Sequence, residues 1–211
     1  MTTSVFDRSA GQWDNNPLHH ERSLAVANAI VRIVPLNRQM RVLEYGAGTG
    51  LLSFILRNQT GEIVMMDKSA EMVKVMQEKV EKEKLAGMYP LLYDLEKNDY
   101  EGNLFDLIMN QMVMHHIKDI PQMLKRFFQM LTPGGYLAMA DLYSEDGSFH
   151  QDASAAGVHH FGFDPARLAR EMQDVGFIHV VYEPCFVIKR PGQENKIKEF
   201  PLFILTGRKG I

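Results

Sequence analysis

The sequence predicts an α/β domain: a seven-stranded, mostly parallel sheet with helices on both faces, a last strand that runs antiparallel, and a helical cap at the N-terminus. Three observations carry this expectation. Short β-rich runs alternate with helical patterns through most of the chain, which is how a parallel sheet covered on both faces reads. Glycine stands at every second position from Gly46 to Gly50, where one such run passes directly into a helix. Four later runs end in a polar side chain, at Asp67, Asp94, Asn110 and Asp141.

The elements follow in order. A polar segment, 4–20, contains Trp13. A helix is expected over about 21–34, with Leu24, Ala27, Val31 and Val34 on one face and Pro35 ending it. The first strand, 41–45, enters the glycine turn, and a helix continues through Leu51, Leu52, Ile55 and Leu56 toward a stop at Gly61. The second strand, 62–66, ends at Asp67. Ser69 is the expected N-cap of a helix whose Met72, Val73, Met76 and Val80 share one face, opposite a solvated face with Lys74, Glu78 and Lys82. A third strand, 88–93, ends at Asp94, and a fourth, 105–110, at Asn110. The next helix starts near Asp119 and Pro121 and carries Leu124, Phe127, Phe128 and Leu131. Pro133-Gly134-Gly135 breaks the chain before a fifth strand, 136–140. The polar stretch 142–162, with His150, His159 and His160, is longer than an ordinary connection and is expected to act as a lid. A helix over 164–175 has Pro165 in its first turn and stops at Gly176. Strands over 178–182 and about 200–206 flank a turn at Pro191-Gly192, and this link turns the last strand antiparallel. The whole chain, 1–211, reads as a single domain: a cap (1–38), a core (40–141), the lid-like segment (142–162) and a C-terminal helix with strands (163–211).

Composition narrows the function. A chain of 211 residues, 45% hydrophobic and 23% charged, can bury a full core and is not a disordered tail. A net charge of −3 gives no general attraction to nucleic acid, so no nucleic-acid partner is expected. The one cysteine, Cys185, rules out an intrachain disulfide and a cysteine metal cluster, fits a reducing cytoplasmic setting, and is expected as a small apolar residue of the sixth strand. No apolar run approaches the ~20 residues of a membrane span, and the N-terminus lacks the features of a signal peptide. The fourteen methionines read mainly as core filler. Met112 and Met114 stand apart because they follow the fourth strand, where a substrate would sit.

The chemistry centres on Val42-Leu43-Glu44-Tyr45-Gly46-Ala47-Gly48-Thr49-Gly50. Glycines here permit positive φ and remove the Cβ atoms that would keep a ligand off the backbone, while the following helix offers free N–H groups. Ligands of open α/β sheets sit beyond the carboxyl ends of the strands, so a nucleotide-like molecule belongs at this turn. The dinucleotide pattern G-x-G-x-x-G does not fit, because its third glycine would fall on Leu51 or Ser53. The G-x-G-x-G spacing preceded by Glu44 resembles the first motif of the class I S-adenosylmethionine-dependent methyltransferases, which have a Rossmann-like fold. Phe105-Asp106-Leu107-Ile108, His115-His116-Ile117, Leu131-Thr132-Pro133-Gly134-Gly135 and the start, Phe6-Asp7 through Trp13-Asp14, resemble their small-molecule branch.

The resemblance implies methyl transfer from S-adenosyl-L-methionine, with S-adenosyl-L-homocysteine as product, to an unidentified small-molecule acceptor. It implies that Glu44, Gly46, Ala47, Gly48 and Gly50 shape the methionine end of the cofactor site. Asp67, with Lys68 beside it, would hold the ribose, and Asp94 and Leu95 the adenine. Asn110 and the residues after it would pass the methionine part and face the substrate. Trp13 and Arg22 are candidates for closing the site, Arg22 by pairing with the cofactor carboxylate.

The departures are informative. Asn110-Gln111-Met112-Val113 lacks the [Asn/Asp]-Pro-Pro-aromatic motif of nucleobase N-methyltransferases. Asp141 is not followed by the Asp-Asn pair of metal-dependent catechol enzymes, and one cysteine cannot serve arsenite chemistry. His116 and His150 are the candidates for a catalytic base. The histidine spacing gives no metal-ligand pattern, so no metal is expected. Tyr143 is a weaker candidate for touching substrate. Two other readings stay open: a nonenzymatic cofactor- or partner-binding module on the same fold, and an NAD-dependent oxidoreductase. The oligomeric state is not legible.

Overall fold

The computed structural model describes residues 5–150, 154, 156–191 and 196–211. Ser4, Gly192 and part of the 142–162 stretch (151–153 and 155) lie outside the described residues. The chain begins with helix α1 (Val5–Ser9) and a 3-10 helix (Ala10–Asn15), followed by α2 (Pro17–Ile33). Then come β1 (Arg41–Tyr45), α3 (Leu51–Leu56), β2 (Glu62–Asp67), α4 (Ala70–Glu83), β3 (Met88–Leu92) and β4 (Phe105–Gln111). A short 3-10 turn (Met114–His116) leads to α5 (Ile120–Met130), β5 (Leu131–Leu142), α6 (Pro165–Val175), β6 (Phe177–Pro191) and β7 (Ile197–Lys209).

The seven strands form one sheet in the order β3-β2-β1-β4-β5-β7-β6. β1 pairs parallel with both β2 and β4, and β4 pairs parallel with β5, whereas β7 runs antiparallel to both its neighbours. The strand order reverses between β1 and β4, and this opens a crevice at their carboxyl ends. Alternation along each strand divides the core in two. Leu43, Val64, Ile108 and Leu137 pack under α5 and α6, with Phe127, Leu168 and Met172. Val42, Ile63, Leu107 and Ala138 pack under α2, α3 and α4, with Ile30, Leu56 and Met76. A period-2 pattern with both faces buried is what a parallel sheet requires.

Several boundaries differ from expectation for visible reasons. α2 starts at Pro17 rather than 21, because the Asn16 side chain accepts a hydrogen bond from Leu18 N (3.1 Å) and Pro17 takes the first helical position. Its inward stripe is Ser23, Val26, Ala27 and Ile30, while Leu24 and Val31 face solvent. β5 begins at Leu131, and Pro133-Gly134-Gly135 lies within it as a break in register between Phe105↔Leu131 and Leu107↔Tyr136. β6 and β7 extend well beyond the sheet body, and their far ends bury Phe149 with Ile188, Phe200 and Leu202. Cys185 lies in β6, half-buried, against two of the core clusters.

Candidate functional site

A cavity of about 550 Å³ opens over the carboxyl ends of β1, β2 and β4. The glycine turn forms its floor. Gly46, Gly48 and Gly50 have φ of +67°, +58° and +82°. At Gly46 a Cβ would fall 2.4 Å from Val113 Cγ2, and at Gly48 it would meet nothing within 4 Å. Gly46 therefore allows close packing, and Gly48 keeps an open backbone surface on the cavity. The turn is tied to the next strand, since Ala47 N donates to Met66 O (3.0 Å).

Asp67, at the end of β2, organises this floor. Its Oδ2 accepts Gly48 N–H (2.7 Å) and its Oδ1 accepts Ser69 N–H (2.8 Å). Burial raises its pKa, against the pull of these backbone donors. Glu44 lies behind the turn and is 1% exposed, with Oε2 accepting from Ser53 N (3.1 Å) and from the Ser53 hydroxyl. Burial pushes its pKa up to about 8. On the far side, Asp94 accepts Glu96 N–H (3.0 Å) and pairs with Lys97 (2.9 Å). Burial would raise the Asp94 pKa, but the Lys97 ammonium, the Glu96 N–H and Lys68 together outweigh it and the shift is downward.

The N-terminal residues are fastened over this floor. Ser69 Oγ donates to Asp7 Oδ1 and Thr49 Oγ1 to Asp14 Oδ1, each at 2.5 Å. Lys79 pairs with Asp14 and donates to Thr49 O (2.7 Å). Phe6 stands edge-on to His116 (5.2 Å between ring centres), and Trp13 stacks on His19 (4.3 Å). Arg22 is 7% exposed, and burial lowers its pKa to about 10 against the nearby charge of Asp141. Its Nε has no hydrogen-bond partner among the described residues.

The opposite wall is a histidine cluster. His115 Nδ1 donates to Asp141 Oδ1 (2.7 Å), and Asp141 Oδ2 accepts His115 N–H (3.2 Å). Both residues are 1% exposed. Burial acts against the Asp141 charge, but its His115 contacts hold the pKa below the ordinary value. His150 Nε2 lies 3.2 Å from His115 Nε2. His116 Nδ1 donates to Gly157 O (3.2 Å). Burial and the neighbouring His115 lower His116 to about 3 and His150 to about 4, so both imidazoles are neutral at pH 7.

Of the residues expected at the site, Trp13, Arg22, Gly46, Ala47, Gly48, Asp67, Lys68, Asp94, His116 and His150 line the cavity. Glu44, Gly50, Leu95 and Asn110 do not form its wall: Glu44, Leu95 and Asn110 are buried in the layers beneath, and Gly50 leads into α3. Met112 lines the cavity in a left-handed conformation (φ +57°), whereas Met114 and Tyr143 belong to the packing around the lower core. Sequence reasoning prefers His116 to its neighbour His115 as a base, and it does not assign Phe149 and Arg190, which reach the cavity from 142–162 and β6, nor Asp141, which lies against His115. Asp141 ends a strand as Asp67 does, and that position is the available signal. Arg190 has none, because its approach depends on the length of the β6–β7 hairpin.

Residues 18–182 match a family model described as a methyltransferase domain. The chain belongs to the methyltransferase domain family. It is similar to an uncharacterized methyltransferase of Schizosaccharomyces pombe, with 34% identity over 139 residues, covering 60% of this chain and 49% of that protein. This methyltransferase domain spans about half the length, or less, of the curated relatives it matches. Two solved structures share the fold. A Haemonchus contortus phosphoethanolamine N-methyltransferase 2 in complex with S-adenosyl-L-methionine has a TM-score of 0.71 and 18% identity, covering 88% of this chain and 52% of that one. A Haloferax volcanii methyltransferase in complex with the Trm112 methyltransferase activator has a TM-score of 0.80 and 17% identity, covering 100% of both chains.

Proposed function

We propose that the protein binds S-adenosyl-L-methionine in this cavity and transfers its methyl group to a small-molecule acceptor, releasing S-adenosyl-L-homocysteine. The observation that carries this reading is the joint built by the glycine turn and Asp67: an open backbone surface at Gly48 beside a carboxylate already oriented by two backbone donors. A carboxylate so held accepts from two ribose hydroxyls without rearranging. Arg22 fits the cofactor carboxylate, because its buried Nε lacks a partner among the described residues and the side chain lines the same space. Asp94 fits the adenine side. The volume of about 550 Å³ is in the range of small-molecule sites.

The sulfonium supplies an activated methyl whose leaving group is a thioether. The chain's residues are left to align the acceptor and exclude water. Phe6 and Trp13 close the cavity from above. In the metal-free protein His116 and His150 line the space proposed for the acceptor and, being neutral, can take its proton as its oxygen, nitrogen or sulfur bonds to the methyl carbon; burial leaves them weak bases, so they suit an acceptor whose proton is already acidic. Glu44 acts from beneath by fixing the start of α3 through Ser53. The single half-buried cysteine is consistent with a cytoplasmic setting.

Calorimetric titration with S-adenosyl-L-homocysteine and with NAD tests the cofactor. We expect one S-adenosyl-L-homocysteine per chain and no heat with NAD; the reverse result overturns the reading. A labelled-methyl screen over metabolite and RNA pools then tests the acceptor class. Transfer to RNA alone refutes the small-molecule acceptor.

A further inference from the structure

We propose that His115, His116 and His150 together bind one divalent transition-metal ion in the wall of the cavity. One ring nitrogen from each lies within 4.8 Å of the other two. The His115 and His150 Nε2 atoms are 3.2 Å apart. Two nitrogens bound to one ion at about 2.1 Å are separated by roughly 3.0 Å at a right angle and roughly 3.4 Å at the tetrahedral angle, so this spacing suits a shared ion.

The surroundings suit a metal site, although in the absence of an ion the His115 and His150 Nε2 atoms share a hydrogen bond. Asp141 settles the tautomer of His115: the carboxylate can only accept, so Nδ1 carries the proton and Nε2 presents its lone pair. The Gly157 carbonyl does the same for His116, fixing the proton on Nδ1. A ligating histidine that donates its other ring N–H to a carboxylate or carbonyl is the usual outer arrangement of such sites. The backbone is held as well, since His115 O accepts both His159 N–H (2.9 Å) and His160 N–H (3.1 Å). Imidazole donors select zinc, iron, cobalt, nickel or copper over magnesium and calcium.

Three protein nitrogens leave a coordination position open toward the cavity. On the methyl-transfer reading, that position takes an oxygen or sulfur donor of the acceptor. An ion there uses the same lone pairs that would otherwise receive a proton, so metal-bound His116 and His150 no longer act as bases.

The experiment is a Co²⁺ titration of chelator-treated protein followed by visible absorption, with Zn²⁺ added afterwards to displace it. S-adenosyl-L-homocysteine calorimetry on the same samples reports the fold and the cofactor reading independently. We expect one Co²⁺ per chain, with bands of a low-coordinate site that Zn²⁺ abolishes. The paired variant His116→Ala with His150→Ala should lose the bands while keeping S-adenosyl-L-homocysteine binding. Asp141→Asn should weaken Co²⁺ binding about tenfold to a hundredfold. Absence of Co²⁺ bands in the parent, or unchanged bands in the paired variant, overturns the proposal even where S-adenosyl-L-homocysteine binding is intact.

Discussion

Replacing Asp67 with alanine separates the proposed ribose contact from the rest of the site. In the parent, both carboxylate oxygens are oriented by backbone N–H groups, of Gly48 and Ser69, at 2.7 and 2.8 Å. Each oxygen retains lone pairs for a ribose hydroxyl. A hydrogen bond to a charged acceptor is worth about 1.5 kcal/mol at the low end, so losing two costs about 3 kcal/mol, or on the order of a hundredfold in Kd. Gly48 and Ser69 line the cavity, so water entering the space left by the carboxylate can hydrate the two freed N–H groups, and the change in folding stability should be the smaller effect, about 1 kcal/mol. Calorimetry with S-adenosyl-L-homocysteine measures the first quantity and urea unfolding of the free protein the second. A Kd within threefold of the parent would refute the ribose role. A large stability loss with unchanged affinity would mean that Asp67 serves only to join the turn to β2.

Gly46→Ala should weaken S-adenosyl-L-homocysteine binding at least tenfold and lower stability by about 1–3 kcal/mol, because its Cβ would meet Val113 at 2.4 Å at a φ of +67°; normal binding would rule out this packing. Asp14→Ala removes the tie from the cap to Thr49 and Lys79, and a threefold to tenfold rise in the same Kd is expected with under about 1 kcal/mol of stability lost; an unchanged Kd would detach the cap from cofactor binding. Glu44 titrates near 8 in the folded state, against 4.5 for an ordinary glutamate, so the unfolded chain ionises first. Stability therefore falls as pH rises between those values, by about 1.4 kcal/mol per unit. Glu44→Gln should flatten that slope in urea unfolding at pH 5.5 and 7.5; parallel curves for parent and variant would show that Glu44 is already ionised.

Much of the sheet is legible in the sequence because its signals are local. The alternation at Val42-Leu43 and Ile63-Val64, the cap at Ser69, the proline at the start of α6 and the stop at Gly176 each act within a few residues. The inward face of α2 is not, because Leu24 and Val31 are apolar yet exposed, and which stripe is buried depends on α3 and β6 packing beside it. The floor of the site is legible for the same local reason: a glycine turn and a strand-end aspartate announce themselves. The histidine wall is not. His150 lies 35 positions from His115 and meets it only because the 142–162 segment returns to the strand ends, where Tyr143 bridges Phe163. Glu44 also shows the limit, since its spacing before the glycines marks the motif but not that its carboxylate turns inward to Ser53.

The central proposal is that one cavity holds S-adenosyl-L-methionine between Asp67 and the histidine wall. A crystal structure with S-adenosyl-L-homocysteine bound is the decisive measurement. The ribose hydroxyls are expected on Asp67, the carboxylate against Arg22, and the sulfur facing the space before His116 and His150. A ligand bound outside this cavity, or with its ribose away from Asp67, would overturn that assignment.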